Sequence, residues 1–169
     1  MKNFKNCGKN VKIFEFAKII KPEVIEIGSH SEIDDFSFIY GGKGIHIGRY
    51  VHISRFVSII GGGKLYLGDY SVLADGARIL TGTDSYHNGA RMSTCLPIEQ
   101  RNPKISSVKV EKDAFIGTNA VIHPGVVIGE GAIIGSNSLV LKNIKPWTIN
   151  VGSPTKIIAR RPKVKFPDI

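Results

Sequence analysis

With 169 residues, 42% of them hydrophobic and 22% charged, the chain is the right size for one domain with its own core, expected to span 1–169. No window approaches the roughly eighteen consecutive apolar residues of a membrane span. Cys7 and Cys95 are too few for a disulfide framework and lack metal-ligand spacing. A net charge of +9 points to an anionic partner. Seven of the 23 basic residues fall in the last 28 positions, with Asp168 the lone acid among them. That clustering favours a local phosphate site over a nucleic-acid coat, and no aromatic-basic interleaving supports nucleic-acid binding. The opening MKNFKNCGKN has charge but no apolar run behind it, so it does not read as a secretory signal, and the cytoplasm is the expected compartment.

Along the chain an aliphatic residue returns every six positions. Ile27, Ile33 and Ile39 are followed by Ile47, Ile53 and Ile59, then by Leu67, Leu73 and Ile79. After a break come Val110, Ile116, Ile122, Ile128, Ile134 and Val140. Four residues beyond most of these stands a small or β-branched side chain, such as Ser31, Val51, Ala77, Ala114 or Ser138. A period of six fits neither a helix nor a plain hairpin strand. It fits a short strand and a tight corner, repeated three times to close a triangular coil of eighteen residues. Such a coil cannot bury its own interior, so neighbouring coils must stack, here over residues 24–150.

The irregularities share one phase. Ile27, Ile47 and Leu67 are twenty apart, so each early coil has two extra residues, in YGGKGIHIG (40–48) and IGGGKLYLG (60–68). The long break, residues 80–109, also follows a third hexad. All three insertions therefore leave from one corner, and the break is a loop projecting from that edge. His46 and His123 fall near the same edge. Trp147 is placed to cap the last coil, where an open ladder end needs cover. The basic segment 151–169 is expected to form a helical turn beyond Pro154.

The run FIGTNAVIHPGVVIGEGAIIGSNSLVLKNIKPWTINVGSPTKIIARR (115–161) resembles the hexapeptide-repeat acyltransferases. Gly152-Ser153-Pro154, followed by Lys156-Ile157-Ile158, looks like that family's closing Gly-x-Pro-Ala segment, with Thr155 in place of Ala. The resemblance implies an all-β fold, a left-handed parallel β-helix, assembled as a homotrimer. It also implies acyl-CoA, acetyl-CoA being expected, bound in a groove between adjacent helices and completed by the long loop. By motif position, Thr118 and Ser136 resemble residues lining the CoA arm. Lys142, Lys156 and, less closely in register, Arg160 resemble basic residues near the CoA phosphates; Lys and Arg suit such anions.

Acyl transfer from a thioester needs an uncharged acceptor, a route for its proton and a donor for the tetrahedral oxyanion. In sugar acetyltransferases of the family a loop His is the base. Here that position falls on Asp84, with His87 three residues later. Either His87 is the general base, oriented by Asp84, or Asp84 holds an acceptor amine that needs no strong base. The Asp favours N-acylation, and the loop resembles that of acyltransferases from surface-polysaccharide pathways, which implies a nucleotide-linked amino sugar of bacterial glycan biosynthesis as the acceptor. Sugar O-acetylation through His87 and a noncatalytic trimeric scaffold are the alternatives. Tyr86 and His123 are candidate acceptor contacts. The zinc-binding γ-carbonic anhydrases share this kind of helix, but their His-x-x-x-x-His pair is absent, so no metal is expected.

Overall fold

The computed structural model describes residues 3–169, and within them the chain winds as a three-sided parallel β-helix. The first face stacks Asn6–Cys7, Ile25–Ile27, Ile45–Ile47, Lys64–Leu67, Ser107–Val110 and Val127–Ile128. The second stacks Lys12–Ile13, Glu32–Ile33, His52–Ile53, Val72–Leu73, Phe115–Ile116, Ile133–Ile134, Thr148–Val151 and Lys156–Arg160. The third stacks Lys18–Ile20, Phe38–Tyr40, Ser58–Ile60, Arg78–Leu80, Val121–Ile122 and Leu139–Val140. We call the turns from first to second, second to third and third to first faces the first, second and third corners.

The hexad residues line the shared interior. Ile39, Ile53, Leu67, Leu73, Ile79, Ile116, Ile122 and Ile134 are all fully buried. The small residues four positions on, among them Ser31, Ala77, Ala114 and Ala132, are buried beside them. Each interior Ile or Leu contributes about 1.5–3 kcal/mol over leaving it in water, and it does so only because the coils above and below cover it. Ladder hydrogen bonds run coil to coil in register, as in Leu67↔Ile47 and Leu67↔Val110.

Helical order begins earlier than residue 24. Cys7, Ile13 and Ile19 occupy hexad positions of a first coil, and Cys7 pairs with Ile27. The cysteine and an otherwise polar, lysine-rich stretch hide that coil's periodicity. The C-terminal segment is a strand and not a helical turn: Lys156–Arg160 runs antiparallel to Thr148–Val151 and covers the open ladder on the second face. Trp147 takes a different place from the expected cap. Its ring lies over Gly131 at the first corner, where an added Cβ would come within 2.4 Å of it, and Arg161 sits 5.8 Å from its centroid.

The first corner carries a column of left-handed backbone residues, Asn10, His30, Tyr50, Tyr70 and Asp113, with Trp147 at its end. Asp113 (φ 57°) is half-buried. Burial pushes its carboxyl above the ordinary value, against the pull of Lys112 and Arg161. A folded-state pKa above the unfolded one means that its proton is bound more tightly when folded. Its contribution to stability is therefore complete below the ordinary carboxyl value and is lost as pH rises through the raised one. Asp113→Asn keeps a residue that tolerates left-handed backbone and removes this loss. Thermal melts should show the variant above wild type near neutral pH, with the gap narrowing on acidification; a gap that does not change with pH would contradict the account.

Candidate active site

All the insertions leave from the third corner, stacked coil on coil. Gly42 lies against Gly62 and Gly63, Gly61 against Gly82, and Gly63 against Thr81 and Ser106, each too close for a Cβ. Thr81 ties them: its hydroxyl donates to Ile60 O (2.9 Å) and accepts from Gly63 N–H (2.9 Å). The long loop leaves at Thr81 and returns at Ser106, whose N–H donates to Thr81 O (2.8 Å). Its root is thus closed by hydrogen bonds.

Beyond the root the loop is a two-stranded stem, Gly82–Asp84 antiparallel to Pro103–Ile105. Asp84 stands opposite Pro103, near the stem's end. Both its carboxylate oxygens are taken by Arg101, with Nε to Oδ1 3.1 Å and Nη2 to Oδ2 2.9 Å. The pair is largely buried, the side chains being 17% (Arg101) and 9% (Asp84) exposed. Burying a carboxylate demands such a partner. Arg101 also donates to Thr94 O (3.4 Å), fixing the far side of the loop. Sequence reading missed Arg101, which lies seventeen residues from Asp84; only the stem's antiparallel return brings the two together.

His87 starts a short 3-10 turn, His87–Gly89, closed by Asn88 in left-handed conformation. Its ring is exposed and touches Tyr86 (centroids 4.8 Å apart). Asp84 bonds Arg101 and not His87, so among the described residues no carboxylate orients the imidazole. His87–Arg91 and Glu99–Asn102 enclose a polar hollow of about 440 Å³ inside the loop. Tyr86 is 70% exposed, open to a ligand and not packed on its own coil.

The other predicted residues border the third face. His123 sits at the third corner one coil beyond the loop root, where Gly125 N–H donates to Ser107 O (2.9 Å). Lys142 follows Val140 at the same corner, and His123 N–H donates to Val140 O (3.0 Å). Thr118 and Ser136 are exposed at the second corner of successive coils, with Asn137 N–H donating to Thr118 O (2.8 Å). Lys156 joins that edge, because Gly152 and Thr155 bond Ser138 and Leu139. Arg160 does not: it pairs with Thr148 at the other end of its strand, whereas Lys156 pairs with Val151. The candidate CoA contacts are therefore divided, with Thr118, Ser136 and Lys156 on one edge of the third face, Lys142 on the other, and Arg160 apart from both.

Glu32, Asp34 and His52 bring possible metal-ligating atoms within 4.8 Å of one another on the second face, away from the loop. They are engaged with neighbours, Glu32 in an ion pair with Lys12 (3.2 Å) and His52 in a hydrogen bond with Asp34 (3.1 Å).

Comparison with known proteins fits this geometry. Residues 107–142 match the family described as bacterial transferase hexapeptide (six repeats). The chain is 35% identical over 161 residues to the dTDP-4-amino-4,6-dideoxy-D-glucose acyltransferase of Escherichia coli, spanning 95% of this chain and 84% of that one. It belongs to the hexapeptide-repeat acyltransferases. The crystal structure of AntD, an N-acyltransferase from Bacillus cereus in complex with dTDP and 3-hydroxybutyryl-CoA, superposes with a TM-score of 0.87 at 34% identity, covering 94% of this chain and 84% of that one. A hexapeptide-repeat acetyltransferase from Vibrio cholerae shares the fold at 20% identity, with a TM-score of 0.64, covering 95% and 76%. The all-β, left-handed parallel β-helix expected of the family is the fold of this chain.

The Asp84–Arg101 pair should behave as one unit. Replacing either partner leaves the other charge buried alone, at a cost of about 3–5 kcal/mol for a fully buried pair and less here. In a double-mutant cycle of Asp84→Asn and Arg101→Met, denaturant melts should show the double variant losing less than the sum of the single ones. Strict additivity would mean the contact carries no coupling.

Proposed function

We propose that the protein transfers an acyl group, acetyl being the simplest, from CoA to the amine of a nucleotide-linked amino sugar. Likeness along nearly the whole chain to an acyltransferase of a dTDP-amino-dideoxy sugar carries this reading. AntD, solved with dTDP and an acyl-CoA, supports it. The structure adds a carboxylate held in place on a loop, where a hydroxyl acceptor would need a base. The reaction belongs with bacterial glycan assembly in the cytoplasm, where nucleotide sugars and CoA meet. No metal enters the proposal.

The chemistry follows from what the residues can do. Arg101 holds Asp84 oriented, and a carboxylate with two oxygens keeps lone pairs free to accept from an amine N–H. The neutral amine attacks the thioester carbonyl, so a C–N bond forms as the C–S bond breaks. The nitrogen gives up a proton, and the departing thiolate takes one to become free CoA. Because an amine loses its first proton to water before attack, it requires positioning more than a strong base. His87, exposed and with no acid partner among the described residues, is less suited to a base role; with Tyr86 and His123 it would contact the acceptor.

The divided donor residues fit a homotrimer. Thr118, Ser136 and Lys156 of one protomer would face Lys142 of the next across a shared groove, with the pantetheine arm between the two edges. Arg160, at the far end of its strand, lies outside that groove in this arrangement.

Release of free thiol from acetyl-CoA, measured across nucleotide amino sugars and plain sugars, tests the reading. Turnover should require an amino sugar linked to a nucleotide. Asp84→Asn should raise the acceptor KM and lower kcat/KM by ten-fold or more, while His87→Ala keeps most of kcat. Loss of kcat in His87→Ala with plain sugars as good acceptors would establish O-acylation instead. No thiol release and no CoA binding would leave a noncatalytic scaffold.

A further inference from the structure

Beside the loop root, the outer side of the first face forms a groove of about 510 Å³ that no part of the catalytic reading uses. Its walls come from the two Gly-rich corners and the strands that follow them. Each corner offers one side chain: Gly41-Gly42-Lys43-Gly44 presents Lys43, and Gly61-Gly62-Gly63-Lys64 presents Lys64. Both lysines are exposed, and neither has an acidic or aromatic partner among the described residues. Lys5 and Lys109 also line the groove, against a single acid there, Glu26. Four cations less one anion leave a charge of +3.

The remaining charges are engaged. Lys5 bonds Glu26 (2.6 Å), His46 Nδ1 lies 3.3 Å from the same carboxylate, and Lys109 bonds Glu111 (2.9 Å). Lys5 and His46 hold the Glu26 carboxyl below its ordinary range. The His46 and Tyr66 rings stack on each other (4.9 Å), with Lys109 also over Tyr66, so the Tyr66 ring already has partners. Such a floor does not stack a base. It leaves two free ammonium groups over a glycine platform whose backbone is pinned coil to coil by Lys43 N–H to Gly63 O (3.2 Å) and Gly63 N–H to Thr81 Oγ1.

We propose that this groove binds the diphosphate of the nucleotide-linked acceptor, with Lys43 and Lys64 as its principal contacts. The inference rests on the acceptor reading above and deepens it. Gly63 bonds Thr81, and Asp84 lies three strand residues further on, roughly 10 Å along the stem. That is on the scale of one sugar ring between a diphosphate and the amine it carries. Lysine serves here as a point charge, which diphosphate accepts without fixed fork geometry.

Calorimetry on the full chain with dTDP, dTMP and CoA as probes tests it. Lys43→Ala/Lys64→Ala should weaken dTDP binding at least ten-fold and shrink the preference for dTDP over dTMP. CoA affinity and the thermal melt should stay unchanged, and Lys43→Arg/Lys64→Arg should keep dTDP binding. The dependence of dTDP affinity on salt should also be shallower in the alanine variant. Unchanged dTDP affinity in that variant, with wild type binding, overturns the groove while leaving the acceptor reading intact. A parallel loss of CoA affinity overturns it too, by making the groove a donor site. Wild type that binds CoA but no nucleotide diphosphate sinks both readings together.

Discussion

Everything in this molecule depends on one constraint: a triangular coil of three short strands has an interior it cannot close. Ile53 and Leu73 are fully buried only because adjacent coils cover them. Stacking in register then brings equivalent residues of successive coils into contact on the outside as well. Any side chain that leaves the surface does so above and below its counterparts, and the surface chemistry becomes a set of columns.

Those columns account for much of the polar surface. Glu26 stands between Lys5 and His46, Arg49 pairs with Asp69 (2.9 Å), and Arg55 with Asp75 (3.0 Å). Each pair is about one coil apart, and being exposed each is worth about 0–1 kcal/mol. At the second corner Phe16, Phe36 and Phe56 stack at 5.6 and 5.4 Å; at the first, His30, Tyr50 and Tyr70 stack at 4.8 and 5.3 Å. Several cations are paired in this way with an acid or a ring face about one coil away. Lys43 and Lys64 are not, the glycines beside them supplying neither. Their corner combines uncompensated charge with a glycine platform pinned coil to coil.

The same geometry decides what could be read from the chain before folding. Hexads with Ile, Leu or Val, the inward small residues and the common phase of the insertions were all legible, because each is a spacing along the chain. The first coil was not, since Cys7 takes an aliphatic place and lysines fill the outward positions. Nor was the closing strand: Lys156–Arg160 is fully exposed and lacks alternation, and it is a strand only because Thr148–Val151 offers an open ladder. Arg101 was beyond reach for a third reason. Its role depends on an antiparallel stem between segments separated by residues that obey no repeat.

That stem explains why a carboxylate can stand in a loop without being lost to solvent or neutralised by a mobile lysine. The root is fastened by Thr81 and Ser106, the strands pair up to Asp84 and Pro103, and Arg101 closes on both carboxylate oxygens. Asp84 is thus held from two sides, by backbone below and by guanidinium beside it. His87 lies just past this fixed point, on a turn that depends on left-handed Asn88, and its ring contacts Tyr86. Among the described residues, side-chain hydrogen bonds hold the acid, whereas the imidazole contacts the Tyr86 ring. A group that positions an acceptor must be rigid before the substrate arrives, since orientation lowers the barrier only when it is organised in advance. On that criterion the aspartate, and not the histidine, is the residue we propose positions the acceptor.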